Sequence, residues 1–301
     1  MQSLSKAFAR LTGSLGSKWG KLSIFSLDFR NKLEVISDLI TNSSISIVIP
    51  AFNEATRLSN TLDRVLDFVG KQGWNVEIVV VDDGSSDATA DIVRAYAGKS
   101  PIVRLLSNPG NRGKGFSVRN GVLKATGDIV LFTDADLSAP IEEAVKLIDA
   151  IDSGADIAIG SRWLRSDLQT RRQSLARQAL GRVFNRLLRI LLNLDFKDTQ
   201  CGFKAFRADA AQALFPRQRI EGWGFDPELL FLAQKFGFKV AEVPVVWAHD
   251  DRTRISPLAD GSRMVADMLR IRWYDLSGRY RSPHELRATA ASVGAPQRRR
   301  I

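Results

Sequence analysis

The 301-residue chain has one cysteine, two histidines and no long apolar run. With Cys201 alone, an internal disulfide and a cysteine-based zinc site are both excluded. His249 and His284 are too few for a histidine-rich metal centre. No stretch reaches the ~18 uninterrupted apolar residues that a membrane-crossing helix needs; Arg189 and Asn193 interrupt the run around 187–194. No compact apolar segment with a small-residue cleavage site stands at the N-terminus. These absences predict a chain without a signal peptide or transmembrane segment, working in the reducing cytoplasm and peripheral on the inner face of a membrane.

What the chain has in excess is positive charge: 43 Lys and Arg against 33 Asp and Glu, net +10. The excess favours an anionic partner, whether nucleic acid, lipid surface or phosphorylated substrate. Part of it sits in residues 1–43, where Leu4, Phe8, Leu11, Leu15, Trp19 and Leu22 recur every three or four residues among Lys6, Arg10, Lys18 and Lys21. That is a basic amphipathic pattern of the kind that lies in a membrane interface. Gly13, Gly16 and Gly20 weaken it as a free helix. At the other end, 251–281 reads as an amphipathic helical extension, and 282–301, ending "APQRRRI", as a disordered basic tail.

Between them, 44–250 reads as one catalytic domain. Short β-branched runs at 45–50, 76–82, 102–107, 128–134 and 155–161 alternate with helical periodicity at 56–70, 87–98, 114–125 and 140–152. Such alternation predicts βαβ units, hence an α/β fold with a mainly parallel sheet flanked by helices on both faces. Ligands of such sheets bind beyond the carboxyl ends of the strands. Polar and acidic groups gather there four times: Pro50 to Glu54, Asp82-Asp83-Gly84, Ser107 to Gly115, and Asp134-Ala135-Asp136.

In "TDADLSAP" (133–140), two carboxylates separated by one residue can turn toward a common point once the strand gives way to a loop. Hard oxygen donors of this kind suit Mg²⁺ or Mn²⁺, which shares its remaining positions with water and substrate phosphates. Alone, the same pair could simply cap the helix near Pro140. "NPGNRGKG" (108–115) leads a strand into a helix and combines Gly110, Gly113 and Gly115 with Arg112 and Lys114. Glycines admit phosphate close to the backbone, and the helix start adds amide donors. It is not a P-loop, lacking Gly-Lys-Ser/Thr, nor a dinucleotide fingerprint, since Val118 replaces the third glycine. In "VDDGSSD" (81–87), Asp82 could meet a base or ribose and Asp87 could cap a helix.

Together with "DTQCGFKAF" (198–206) and "GWGFDPELLFLAQKFGFKVAEVPVVW" (222–247), these motifs resemble glycosyltransferase family 2, and within it the dolichyl- and polyprenyl-phosphate β-glucosyltransferases. The resemblance spans about 44–280. It implies a GT-A, Rossmann-like fold, a nucleotide sugar donor (UDP-glucose), a polyprenyl phosphate acceptor and a Mg²⁺ or Mn²⁺ ion. Carried over residue by residue, Asp134 and Asp136 match the metal- and diphosphate-holding pair. Pro50, Glu54, Asp82, Arg112 and Lys114 fall on the donor-nucleotide side. Asp226 stands where the family places a base. An isoprenyl phosphate is already an oxyanion, so Asp226 is expected to position or contact the sugar. Ser138 replaces a metal-binding Gln of related mannosyltransferases, so a third protein ligand is not implied.

The run from Arg162 through Arg165, Arg171, Arg172, Arg177, Arg182, Arg186 and Arg189 is interleaved with leucines, Val183 and Phe184. Guanidinium forks match phosphate oxygens, and the apolar interleaving suits an isoprenoid chain or an anionic membrane surface. Arg162, Arg172 and Arg177 are the expected grip on the acceptor phosphate; a solvated helix packed on the domain is the plainer alternative. A processive polysaccharide synthase fits poorly, for Leu269 stands at the Gln position before Arg272-Trp273. Nucleic acid is not expected as a partner: no recognition module is present, and carboxylates at the strand ends would repel a phosphate backbone. A nucleotidyltransferase would share the metal pair and glycine-rich loop but release pyrophosphate.

Overall fold

The computed structural model describes residues 43–165, 169–171, 185–248 and 257–281. The amphipathic segment before residue 43, the tail 282–301, Arg172 and Arg177 lie outside the described residues.

The chain alternates strand and helix as its periodicity dictates. In order come β1 (Ile45–Ala51), α1 (Leu58–Gln72), β2 (Val76–Asp82), α2 (Thr89–Ala97), β3 (Val103–Ser107), α3 (Lys114–Leu123) and β4 (Ile129–Thr133). A 3₁₀ turn (Ile141–Glu143) then precedes α4 (Ala144–Asp152) and β5 (Ile157–Ser161). The helix expected from 140 therefore begins as that tighter turn, with Pro140 just before it. After the short β6 (Gln169–Arg171) and a helical stretch at 185–192 come β7 (Phe203–Arg207), α5 (Ala208–Leu214), α6 (Phe225–Phe236), β8 (Val240–Pro244), β9 (Trp247–Ala248) and α7 (Pro257–Leu276).

Seven strands form one sheet in the order β3-β2-β1-β4-β7-β5-β8. β7 runs antiparallel to both its neighbours, β4 and β5, and the other pairings are parallel. Successive strand residues enter opposite faces. Ile47, Ile49, Ile78, Val80 and Leu131 join α1 and α4 in one buried cluster. Val48, Val79, Val81, Val130 and Phe132 join α3, α5, α6 and α7 in another. Both faces are covered, which is why the strands read as continuous apolar runs instead of alternating with polar residues.

Strand order places a topological switch at β1, with β2 on one side and β4 on the other. Pairing of β1 with β4 ends at Val48–Phe132, while pairing with β2 runs on to Ala51–Asp82. Pro50, which has no N–H to offer, lies in the stretch past the last β4 partner. The two strand ends thus separate and leave the crevice in which such sheets bind ligands.

The far end of the second cluster is closed by Glu228 of α6, fully buried. Its carboxylate accepts from Arg219 N (2.8 Å), Ile220 N (2.9 Å) and the Tyr280 hydroxyl. Burial outweighs these donors and pushes the Glu228 carboxyl up to about 7. A proton held more tightly in the folded state favours folding at low pH. The contribution of Glu228 should be complete below about pH 4.5, fall as pH rises toward 7, and stay constant above. The melting temperature of wild type, measured relative to that of the non-titrating Glu228→Gln, should fall as pH rises from about 4.5 to about 7 and level off by about pH 8; a pH-independent difference would contradict the assignment. Among the described residues no helix is long and apolar enough to cross a membrane.

Candidate active site

The loops that end β1 and β2 are tied to each other. After β1 the backbone turns at Asn53, a non-glycine at φ 52°. Asn53 N donates to Ser85 Oγ (2.8 Å), and Ser86 N donates to Asn53 Oδ1 (2.8 Å). Glu54 N reaches Thr89 Oγ1 (2.8 Å) and Ala55 N reaches Asp87 Oδ2 (3.1 Å). Asp87 also accepts from Thr89 N (3.0 Å), so it satisfies a first-turn amide of α2 although the cap position itself falls on Ala88. These bonds fix the ends of β1 and β2, which carry Pro50, Glu54 and Asp82. The Glu54 carboxylate lies 2.6 Å from Arg57 Nε, and the buried Asp82 accepts from Ser85 N (3.2 Å).

The glycine-rich loop has a different local logic from the one its composition suggests. Asp83, 4% exposed, accepts from Arg112 N (3.0 Å), Gly113 N (2.8 Å) and Asn108 Nδ2 (2.7 Å). Two amides expected to face phosphate are thus taken by a carboxylate that shapes the loop. Gly84, at φ 72°, packs so tightly here that a Cβ would lie 2.5 Å from the Gly110 carbonyl carbon. The Arg112 guanidinium turns to Glu221 (3.0 Å) and stacks on Phe116. Of the two loop cations, only Lys114 has its charge placed at the Asp134–Asp136 pair.

That pair follows β4. Leu137, at φ 47°, holds the loop in a left-handed turn, a strained conformation for a branched side chain. Thr61 Oγ1 of α1 donates to Ala135 O (2.6 Å), and Ser138 N donates to Asp136 Oδ1 (2.9 Å). Lys114 Nζ is 2.6 Å from Asp134 Oδ1. On the other side of Asp134 lies Gly202, where a Cβ would stand 2.2 Å from Asp134 Oδ2. Any larger residue there would displace the carboxylate. Burial, then repulsion from Asp134, raises the Asp136 carboxyl above the usual carboxylate range. Burial disfavours the Lys114 charge, but Asp134, Asp226 and Asp136 outweigh it and hold the ammonium protonated.

Asp226, at the start of α6, is buried and bound at Oδ1 by Lys204 Nζ (2.6 Å). Lys204 has no exposed surface and also donates to Cys201 O (2.5 Å). Burial raises the Asp226 carboxyl, against the pull of Lys204 and Lys114. Cys201 is a buried small side chain, as its sequence context suggests. Trp223, 39% exposed, stands beside the cluster with Lys114 Nζ 5.1 Å from its ring centre.

Arg162 follows β5 on the same edge of the sheet, but its fork is engaged. Nε and Nη2 donate to Asp198 Oδ2 and Oδ1, both at 2.7 Å, and Arg162 N donates to Oδ2 (3.0 Å). The guanidinium also lies 5.9 Å and 5.6 Å from the rings of Trp163 and Trp247. Asp198 is 1% exposed; burial would raise its carboxyl, but Arg162 overcomes that and lowers it.

Sequence reading thus located Asp134, Asp136, Lys114 and Asp226, which the fold brings together. It missed Asp83, Lys204, Asp198 and Trp223. All four lie inside sequence motifs already singled out, but nothing local marks Lys204 or Asp198 as partners of charges 22 and 36 residues away.

The donor set fits a divalent cation. Asp134 and Asp136 offer hard oxygens at a site where two carboxylates repel each other and one lysine compensates. Among the described residues no group of three or more His, Cys, Asp or Glu converges on a metal position. An ion held by this pair would take its remaining ligands from substrate oxygens and water, the usual preference of Mg²⁺.

The sequence profile of "Glycosyl transferase family 2" matches residues 46–215. A dolichyl-phosphate beta-glucosyltransferase of Dictyostelium discoideum is 36% identical over 252 residues, covering 79% of this chain and 77% of that protein. A human dolichyl-phosphate beta-glucosyltransferase is 33% identical over 250 residues, with 79% and 77% covered. Among solved structures, glucosyl-3-phosphoglycerate synthase from Mycobacterium tuberculosis with Mn²⁺, UDP-glucose and phosphoglyceric acid superposes with a TM-score of 0.58 at 22% identity, covering 80% of this chain and 82% of that one. That likeness supports the GT-A architecture. With the profile over more than half its length and relatives at this identity and coverage, the chain belongs to glycosyltransferase family 2 and is a glycosyltransferase.

Proposed function

We propose that the enzyme transfers glucose from UDP-glucose to a dolichyl or polyprenyl phosphate at an anionic membrane surface, with Mg²⁺ or Mn²⁺ held by Asp134 and Asp136. The observation that carries this reading is the cluster of Lys114, Asp134, Asp136 and Asp226 at the β1/β4 crevice. The relatives named dolichyl-phosphate beta-glucosyltransferase support the choice of substrates.

Pro50, Glu54 and Asp82 form the wall along which the nucleotide lies. Asp134 and Asp136 would hold the ion, whose charge would offset that of the departing diphosphate. Lys114 adds a second positive charge at the same place, already oriented by Asp134 and needing no reorganisation. An acceptor phosphate oxygen forms the bond to the anomeric carbon while the bond from that carbon to the diphosphate oxygen breaks. Attack from the opposite side turns an α-linked donor into a β-linked lipid sugar. No proton has to be removed from a phosphate oxyanion, so no general base is required. Asp226, bound by Lys204, positions the sugar or its neighbours. Arg162 contributes charge at the acceptor side while Asp198 holds its fork, and Arg172 and Arg177 are assigned the direct grip on phosphate.

A donor screen tests the proposal. Purified enzyme, native lipid extract and Mg²⁺ are incubated with each radiolabelled nucleotide sugar in turn. Label from UDP-glucose should enter the organic-soluble lipid fraction with release of UDP. Label entering only from another donor, or release of pyrophosphate, would replace this assignment.

A further inference from the structure

Helix α7 carries an apolar stripe on the side away from the core. Met268 and Ile271 are buried against the second cluster, and Met264 is buried beside Gln200. At about 100° per residue, Leu269, Trp273 and Leu276 fall on the opposite side of the helix. They are 57%, 53% and 87% exposed. Three large side chains at i, i+4 and i+7, all turned to solvent, are unusual on a lone soluble surface and mark an interaction site.

We infer that this stripe of α7, Leu269-Trp273-Leu276, is a docking surface for an anionic lipid bilayer. Three features select that occupant. The flank is cationic: the Arg279 guanidinium lies 4.3 Å from the Trp273 ring centre, and the exposed Arg272, next to Trp273 in the chain, sets its guanidinium 5.8 Å from the Phe231 ring centre. Their aliphatic stems can follow the apolar side chains inward while the charge remains at phosphate level. The acids of this half of the helix are neutralised, Asp267 by Arg270 (3.0 Å) and Asp275 by Lys235. Tryptophan beside arginine suits the boundary between headgroups and acyl chains.

The helix that bears the stripe packs beside the active site through its opposite, buried face. At Gly224, between Trp223 and Asp226, a Cβ would lie 2.7 Å from Cβ of Asp267 on α7. Gln200 Nε2 meets Met264 Sδ at 3.6 Å, next to Cys201 and Gly202. Trp273 follows Asp267 by about 9 Å along the helix axis. A bilayer held on the stripe would lie about one helix diameter, roughly 10 Å, from the site-facing side of α7, within reach of a lipid whose isoprenyl phosphate enters the crevice. This inference rests on the proposal that the acceptor is a membrane lipid.

The test is flotation of the full-length chain with vesicles of phosphatidylcholine alone or mixed with phosphatidylglycerol. Wild type should float with the anionic vesicles. Leu269→Gln/Trp273→Gln/Leu276→Gln should bind them about a hundredfold more weakly, because most of the buried apolar area is gone. Its melting temperature should be unchanged, as should its rate on a water-soluble, short-chain isoprenyl phosphate. A fluorophore on Leu276→Cys, which labels selectively because Cys201 is buried, should shift to the blue when anionic vesicles are added. Vesicle binding by the triple variant equal to wild type would overturn the assignment of this surface alone. Emission already blue-shifted without vesicles would do the same, meaning that a second copy or the chain's own segment covers the stripe. Failure of wild type to bind anionic vesicles would overturn both this assignment and the membrane-surface proposal, whereas lipid binding without glucosyl transfer would overturn only the proposed reaction.

Discussion

Asp136→Asn should abolish transfer while leaving the fold at least as stable as wild type. In the absence of a cation its carboxylate is partly buried beside Asp134, and both desolvation and that neighbour disfavour its charge. Removing the charge relieves the repulsion, and the hydrogen bond from Ser138 N to Oδ1 survives in the amide. The same substitution removes one of the two protein ligands proposed for the ion that neutralises the leaving diphosphate. Loss of that stabilisation should cost roughly 4 kcal/mol in the transition state, about a thousandfold in rate. Chelator should reduce the wild type to the same level. Asp134→Asn should lose activity as well but pay an additional structural penalty, because Lys114 loses its 2.6 Å partner. Transfer rates with and without chelator, set beside melting temperatures for both variants, separate the two effects. Full activity of Asp136→Asn in chelator would remove the metal assignment.

Arg162→Ala should destabilise the protein more than it weakens any single substrate contact. The guanidinium gives two hydrogen bonds of 2.7 Å to Asp198, whose carboxylate is 1% exposed. Without it, a buried carboxylate keeps only backbone donors. Breaking one side of such a pair costs about 3–5 kcal/mol, on the order of 10 °C in melting temperature for a chain of this size. Removing both partners together, as Arg162→Met/Asp198→Leu, should be less costly than Arg162→Ala, since no unpaired charge is left buried. Arg162→Lys retains a charge but not the fork, so it isolates the contribution of charge to acceptor KM. An unchanged melting temperature for Arg162→Ala, with only acceptor KM raised, would return this residue to direct phosphate binding.

The five strands read from β-branched runs coincide with β1 to β5 to within two residues at either end. They were legible because the sheet is covered on both faces, so apolar residues dominate the runs and Ser46, Glu77 and Arg104 are the polar breaks inside them. β7 was not, because Lys204 sits in its middle with no exposed surface. A lysine in "FKAF" signals a solvated segment to any sequence reading. It is tolerable here only because Asp226, Cys201 O and the Phe132 ring surround the ammonium.

The sequence by itself determined the parallel α/β framework and the carboxylate pair at the end of β4. Both follow from local periodicity and spacing, which neighbouring residues carry. Charge pairing was decided only in the tertiary structure. Asp83 takes the amides that the glycine-rich loop seemed to offer to phosphate, Glu221 takes Arg112, and Asp198 takes the fork of Arg162. Composition counts charges but does not say which are already satisfied. A buried ion must find its partner wherever folding brings one within about 3 Å, and separation along the chain sets no limit on that choice.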